Sequence, residues 1–202
     1  SPELTVDQSS EVNFVNGVLQ LENISTINRL VPLSEEKKGA YYFYHYYDGF
    51  PEVTDLPHLA SPIRYISTTN EYKKVQNALN TKKAIDEFWL GLGKEEVRAK
   101  KMIKEYYLRV GYANKYFTSY KEGWKTDRGI IYIVYGLPST IYKNLNNETW
   151  IYGEENNILS VKFEFVKINN ERSSNDFRLL RNSDYKSNWY RAVDMWRQGK
   201  VY

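Results

Sequence analysis

The chain has 202 residues, with 28 Lys and Arg against 25 Asp and Glu and a formal net charge of +3. That length admits one well-buried domain, or one domain with a smaller appendage, and a charge this small and dispersed argues against nucleic acid as a partner. Cysteine is absent, which excludes disulfides, thiolate metal sites and cysteine nucleophiles, and no apolar run approaches the roughly 20 residues of a transmembrane helix.

The opening "SPELTVDQSS" has neither Met nor a charged-then-apolar leader, so a trimmed export signal or an omitted upstream domain is expected. Residues 12–21, "VNFVNGVLQL", are two short apolar runs joined by Asn16-Gly17; both turn residues tolerate positive φ, which predicts a hairpin. "GAYYFYHYYDGF" (39–50) predicts a strand aromatic on both faces, with Tyr41, Phe43, His45 and Tyr47 on one and Tyr42, Tyr44 and Tyr46 on the other; such a strand is expected to be covered on each side. Pro51, Pro57 and Pro62 then predict an extended connector between two structural parts.

From residue 61 the pattern turns helical. A first helix is capped at Thr69 or Asn70 and carries Tyr72, Val75 and Leu79 on one stripe. "NTKKAIDEFWLGLG" predicts a second, with Ile85, Phe88 and Trp89 inward and Gly91 or Gly93 as its stop. A third runs from about Lys94 to about Tyr120, its inward stripe Val97, Ile103, Tyr107, Val110, Asn114 and Phe117; its basic stretch "VRAKKMIKEYYLRV" reads as a solvated face.

After Asp127 the period drops to two, and "GIIYIVYG" (129–136), apolar on both faces, predicts a central strand ended by Gly136-Leu137-Pro138. "ETWIYG" (148–153), "ILSVKFEFV" (158–166) with Leu159, Val161, Phe163 and Phe165 inward, and "DFRLLR" (176–181) complete an antiparallel sheet of about four strands. A closing helix, "SNWYRAVDMWRQG", puts Trp189, Val193 and Trp196 on one face. The fold class is therefore α+β: a β-rich segment at 1–60, then three helices, the sheet and a final helix over 61–202.

The densest constellation is "EGWKTDRGIIYIVYGLP". A structural reading accounts for it: Gly123 takes the left-handed conformation past the long helix, Trp124 plugs the corner between helices and sheet, Thr126 and Asp127 satisfy stranded backbone donors, and Arg128 pairs with Asp127 or a strand carboxylate. Gly129, Gly136, Pro138 and Trp150 belong to the same scaffold. A functional reading makes Trp124 a stacking platform, with Asp127, Arg128 and Tyr135 as further ligand contacts. The structural reading is preferred, because a Trp beside a helix terminus is usually buried.

Catalytic templates find little here. His45 and His58 lack zinc-site spacing; "GLGKEE" (91–96) departs from the P-loop pattern and reads as a turn between helices; no Gly-x-Ser-x-Gly elbow exists. Asp48, Asp86, Glu87, Asp127 and Glu148 would supply carboxylates for glycoside hydrolysis, yet no spacing selects a pair. No catalytic residue, metal or cofactor is assigned.

"EGWKTDRGIIYIVYGLP", together with "SPIRYI", "FW", "RVGYANKYF", "TWIY" and "FEF", resembles the GWxTD domain family over roughly 61–190. The resemblance implies an exported bacterial envelope protein, in the periplasm or associated with the outer membrane, and carries no established reaction. The order "YGLP", "TWIY", "VKFEF" is more weakly similar to the small sheet of outer-membrane-assembly lipoproteins, although the Leu-Gly order of their turn is altered here. The leading expectation is a non-enzymatic interaction module with an envelope protein partner; the alternative is a glycan-binding module or carboxylate-dependent glycan hydrolase.

Overall fold

The computed structural model describes residues 15–16, 27–30, 40–155 and 157–201. Its contacts divide the chain into two compact units, Ser1–Tyr46 and Tyr47–Tyr202. In the first, strands β1 (Ile27–Leu30) and β2 (Tyr41–Tyr44) pair antiparallel, Leu30 opposite Tyr41. Tyr41 and Phe43 are exposed, so the aromatic strand is not covered on each side as expected. The predicted hairpin at 12–21 lies almost wholly outside the described residues, although Asn16 does take positive φ, at 50°.

The second unit holds all six helices among the described residues: α1 (Leu56–Ala60), α2 (Thr69–Gln76), α3 (Thr81–Gly93), α4 (Glu96–Phe117), α5 (Asp127–Tyr135) and α6 (Tyr185–Arg197). A four-stranded antiparallel sheet follows the order β3 (Thr140–Lys143), β4 (Asn147–Tyr152), β5 (Val161–Lys167), β6 (Phe177–Leu179). The architecture is α+β, as the sequence predicts, with two corrections to the element list. Residues 51–63 are not an extended connector, because Pro57 and Pro62 start α1 and a 3-10 turn, Pro62–Tyr65, where a missing N–H costs nothing.

The other correction matters more. "GIIYIVYG" is helix α5, and the fourth strand is Thr140–Lys143. A short apolar run does not distinguish a buried strand from a buried helix; here the Thr126 side chain accepts the N–H of Gly129 and caps the helix. At the other end Gly136 takes φ 82°, a backbone conformation that favours glycine, and lies against the Arg109 guanidinium.

The main core gathers Ile63, Ile66, Val75, Trp89, Met102, Tyr106, Val110 and Trp196 from the helices. Tyr106 meets Trp89 and Trp196 edge-on at 5.3 and 5.2 Å, and the Trp196 indole donates to the carbonyl of Val134. Burying each such side chain contributes about 1.5–3 kcal/mol. The buried stripe of α4 runs through Ala99, Met102, Tyr106, Val110, Ala113 and Asn114, rotated from the predicted one, and Val97 is exposed. The rotation follows from close packing: a Cβ on Gly93 of α3 would meet the backbone of Ala99 at 2.7 Å.

A second core, Ile131, Trp150, Phe163 and Phe165, seals α5 against the sheet. Leu79 and Leu159, predicted inward, are exposed because α2 ends at Gln76 and β5 begins at Val161. Trp196 of the closing helix is buried, with Trp189 and Val193 half-buried beside it.

Candidate functional site

The Gly123–Gly129 segment passes from the end of α4 into α5 through a 3-10 turn, Gly123–Lys125. Gly123 does not adopt the left-handed conformation expected of it. It is glycine because α4 is too close: a Cβ would stand 1.8 Å from the Ala113 carbonyl oxygen. A Cβ on Gly129 would stand 1.9 Å from the oxygen of Gly123 itself. The two glycines thus let three layers of backbone, α4, the turn and α5, stack in contact.

Trp124 is 6 % exposed. Its backbone N–H donates to Asn114 Oδ1 at 3.1 Å and its indole N–H to Glu122 Oε1 at 3.1 Å. The hydroxyl of Tyr65 donates to its carbonyl at 2.9 Å, and Lys125 lies over the ring while pairing with Glu122. Asn114, wholly buried, also donates to Pro51 O and Tyr47 Oη, fastening the loop before α1 to the turn. The indole is a corner plug, and its ring offers no open face to a sugar.

Thr126 closes the turn by donating to Gly123 O at 2.8 Å while accepting from Gly129. Asp127 Oδ2 accepts the N–H of Leu179 at 2.8 Å. In the β5–β6 register Glu164 faces Leu180 and Val166 faces Arg178 as bonded pairs, so the Leu179 N–H points out of the sheet. Asp127 therefore stoppers the β6 edge.

Arg128 is buried. Its Nη1 donates to Glu148 Oε1 at 2.9 Å, and Nη2 donates to both oxygens of Asn175, the carbonyl at 3.0 Å. The guanidinium stacks over Phe177, 4.0 Å from the centroid. Burial pulls the Arg128 pKa below its ordinary value, and the Glu148 carboxylate pushes the other way. Glu148, itself buried, also accepts from the Trp150 indole and pairs with Lys143 at 3.3 Å. The Asn175 amide donates to the carbonyls of Tyr116 and Thr118, tying the β5–β6 loop to the end of α4.

Tyr135 stands apart, among Tyr152, Phe163 and Trp189. Burial raises its pKa above the ordinary phenol range, and its hydroxyl has no hydrogen-bond partner among the described residues. Gly136 O accepts from Tyr152 Oη, and Pro138 is buried at the start of the sheet. The structure thus brings Trp124, Asp127 and Arg128 into one buried joint and leaves Tyr135 in the second core. Of the partners, sequence reasoning named Glu148 only among five candidate carboxylates for glycoside hydrolysis and gave Glu122 and Asn175 no role; Asn175 bonds across 47 residues of chain, a pairing without local signal.

The surface is organised differently. A shallow groove of about 620 Å³ between α2 and α3 is lined by Lys73, Lys74, Lys83, Asn70 and Asn77 among others, and no joint residue lines it. No group of three or more His, Cys, Asp or Glu among the described residues is placed to hold a metal ion, and no helix among them is long and apolar enough to cross a membrane.

The Gly123–Asp127 signature thus lies within a buried joint of helix, turn and sheet, with an aromatic core on either side. The GWxTD domain family matches residues 30–198, and the chain belongs to that family. No curated protein and no solved structure matches it.

Proposed function

We propose that this chain is a non-enzymatic protein–protein interaction or assembly module of the bacterial cell envelope, exported to the periplasm or held at the outer membrane. One observation carries the reading. On α4, Leu108, Tyr112 and Tyr116, spaced by four, are 46 %, 39 % and 56 % exposed. Residues at that spacing share a helix face, and the Tyr112 ring lies 6.0 Å from Tyr116 and 6.5 Å from Tyr132 of α5. Scattered exposed apolar residues are ordinary, but a contiguous stripe of rings with polar tips offers large contact area at small entropic cost. The motif's polar groups are meanwhile engaged inside the fold, which favours the stripe over the motif as the contact surface.

The test is affinity isolation of the tagged native protein from crosslinked cells, beside a Tyr112→Ala/Tyr116→Ala variant checked for native circular dichroism. A stoichiometric envelope protein lost from the variant is the expected outcome. Retention on peptidoglycan with no protein partner, or capture unaffected by the double substitution, overturns the reading.

A further inference from the structure

The two edges of the four-stranded sheet are not alike. The outward N–H of Leu179 on β6 is bonded by Asp127, whereas β3 ends the sheet on the other side. The β3 ladder can be followed residue by residue. Asn144 N donates to Asn147 O, so Tyr142–Thr149 and Thr140–Ile151, at alternate positions of the register, are bonded pairs. Ser139 N also donates to Ile151 O, which places Ser139 and Thr140 together against one residue, a β-bulge. The N–H and C=O of Ile141 and Lys143 consequently point away from the sheet.

An exposed edge is commonly guarded by lysine, proline or a bulge, and β3 has Pro138 before it, the bulge at its start and Lys143 on it. Pro138 and the bulge both lie ahead of Ile141 and leave the Ile141–Lys143 stretch in regular register, and the Lys143 ammonium is drawn over the buried face to Glu148, 3.3 Å away, rather than across the edge.

We propose that β3 pairs antiparallel with β3 of a second copy of this chain, across a two-fold axis at Tyr142. The register decides the occupant. With Tyr142 opposite its own copy, Ile141 of each chain faces Lys143 of the other, so all four outward residues become bonded pairs and four backbone hydrogen bonds form. Moving the axis to Lys143 sets two lysines opposite one another; moving it to Ile141 leaves a single bonded pair of outward residues. In the Tyr142 register the two Tyr142 rings, 51 % exposed in the single chain, form a cross-strand aromatic pair. Each Ile141, 40 % exposed, gains the aliphatic stem of the opposing Lys143, whose charge stays on Glu148. Leu145, in the turn after β3, falls opposite Ser139 of the second copy, so two largely exposed leucines, Leu145 and Leu137, approach at each end. The product is one eight-stranded antiparallel sheet.

This goes beyond the envelope-partner reading and is tested separately from it. Sedimentation equilibrium of the purified chain is expected to show a monomer–dimer equilibrium. Ile141→Pro removes an outward N–H and none of the bonds to β4; with two hydrogen bonds lost per dimer, the dissociation constant rises about tenfold or more. The second variant does not rely on weakening. Because the chain has no cysteine, Tyr142→Cys introduces a single thiol at a non-hydrogen-bonded pair, where opposing residues come closest, and a mild oxidant is expected to give a covalent dimer. Ile158→Cys, on an exposed loop residue, is expected to stay monomeric under the same oxidation. A chain monomeric at every concentration, or a dimer that Ile141→Pro leaves intact and Tyr142→Cys does not crosslink, overturns the proposal. A monomer that still captures an envelope protein through Tyr112 and Tyr116 sinks only this inference; a β3 dimer without such capture sinks only the other.

Discussion

Trp124 shows how a residue of recognition type becomes structural. Its ring, its N–H, its carbonyl and its indole nitrogen are each engaged, by Lys125, Asn114, Tyr65 and Glu122. Trp124→Ala is expected to cost about 3–5 kcal/mol in urea denaturation, because the cavity at a crossing of fixed backbones cannot collapse; unchanged stability would remove the corner-plug account. Much of this joint is legible in the sequence. Thr126 as a side chain that satisfies a backbone donor, and Arg128 as the partner of a strand carboxylate, follow from residue chemistry and local spacing, although the element Thr126 starts reads as a strand in the sequence. Gly123 was readable as necessary but for another cause, since contact between backbones leaves no mark in sequence that differs from a left-handed turn. Asn175 was out of reach, as its bond to Arg128 exists only once the β5–β6 loop has closed on α4.

At the scale of elements, the four longer amphipathic helices were legible, whereas the two short ones, α1 within the proline-containing stretch and the apolar α5, were not. Helix α2 is capped by Thr68, through a capping box with Glu71, one residue before the expected Thr69 or Asn70, and α3 and α6 bury the faces their periodicity predicts. In α5, Ile131, Ile133 and Val134 are all buried, so the run has no polar face to reveal its period, and its β-branched residues point to a strand. Glu71 has a second task. It binds Arg197 of α6 through two charge-assisted hydrogen bonds of 2.8 and 2.9 Å, joining helices far apart in the chain. The Arg197 bond chiefly lowers the Glu71 pKa from the ordinary 4.5 to about 2. A depressed carboxylate pKa stabilises the fold above the unfolded value, and that contribution is lost as pH falls through the folded one. The Tm difference between wild type and Glu71→Gln is therefore expected to narrow as pH drops from 4.5 to about 2, with a magnitude reduced by the partial exposure of the carboxylate. A difference independent of pH would show that the pair does not couple α2 to α6.

At the scale of the molecule, tyrosine is divided between interior and surface, and composition alone could not apportion it. Burial raises the pKa of Tyr65, Tyr106, Tyr107 and Tyr152 above the ordinary 10.0. Phenols that stay protonated when folded but ionise when unfolded make stability fall as pH rises past that value. Spectrophotometric titration is expected to show a steep step of phenol ionisation above pH 10 that coincides with loss of near-ultraviolet circular dichroism. A smooth titration without that step would mean that the interior phenols are open to solvent.

Of the GWxTD residues, Gly123, Trp124 and Thr126 are buried against α4 and α5 and Asp127 holds the β6 edge, while Lys125 is exposed. Substitution at Gly123, Trp124, Thr126 and Asp127 is constrained by how the chain crosses itself, while Lys125, the α4 stripe, the β3 edge and the lysine-lined groove lie under no such constraint. On this account the signature specifies an architecture, and it is the exposed surfaces that specify a partner.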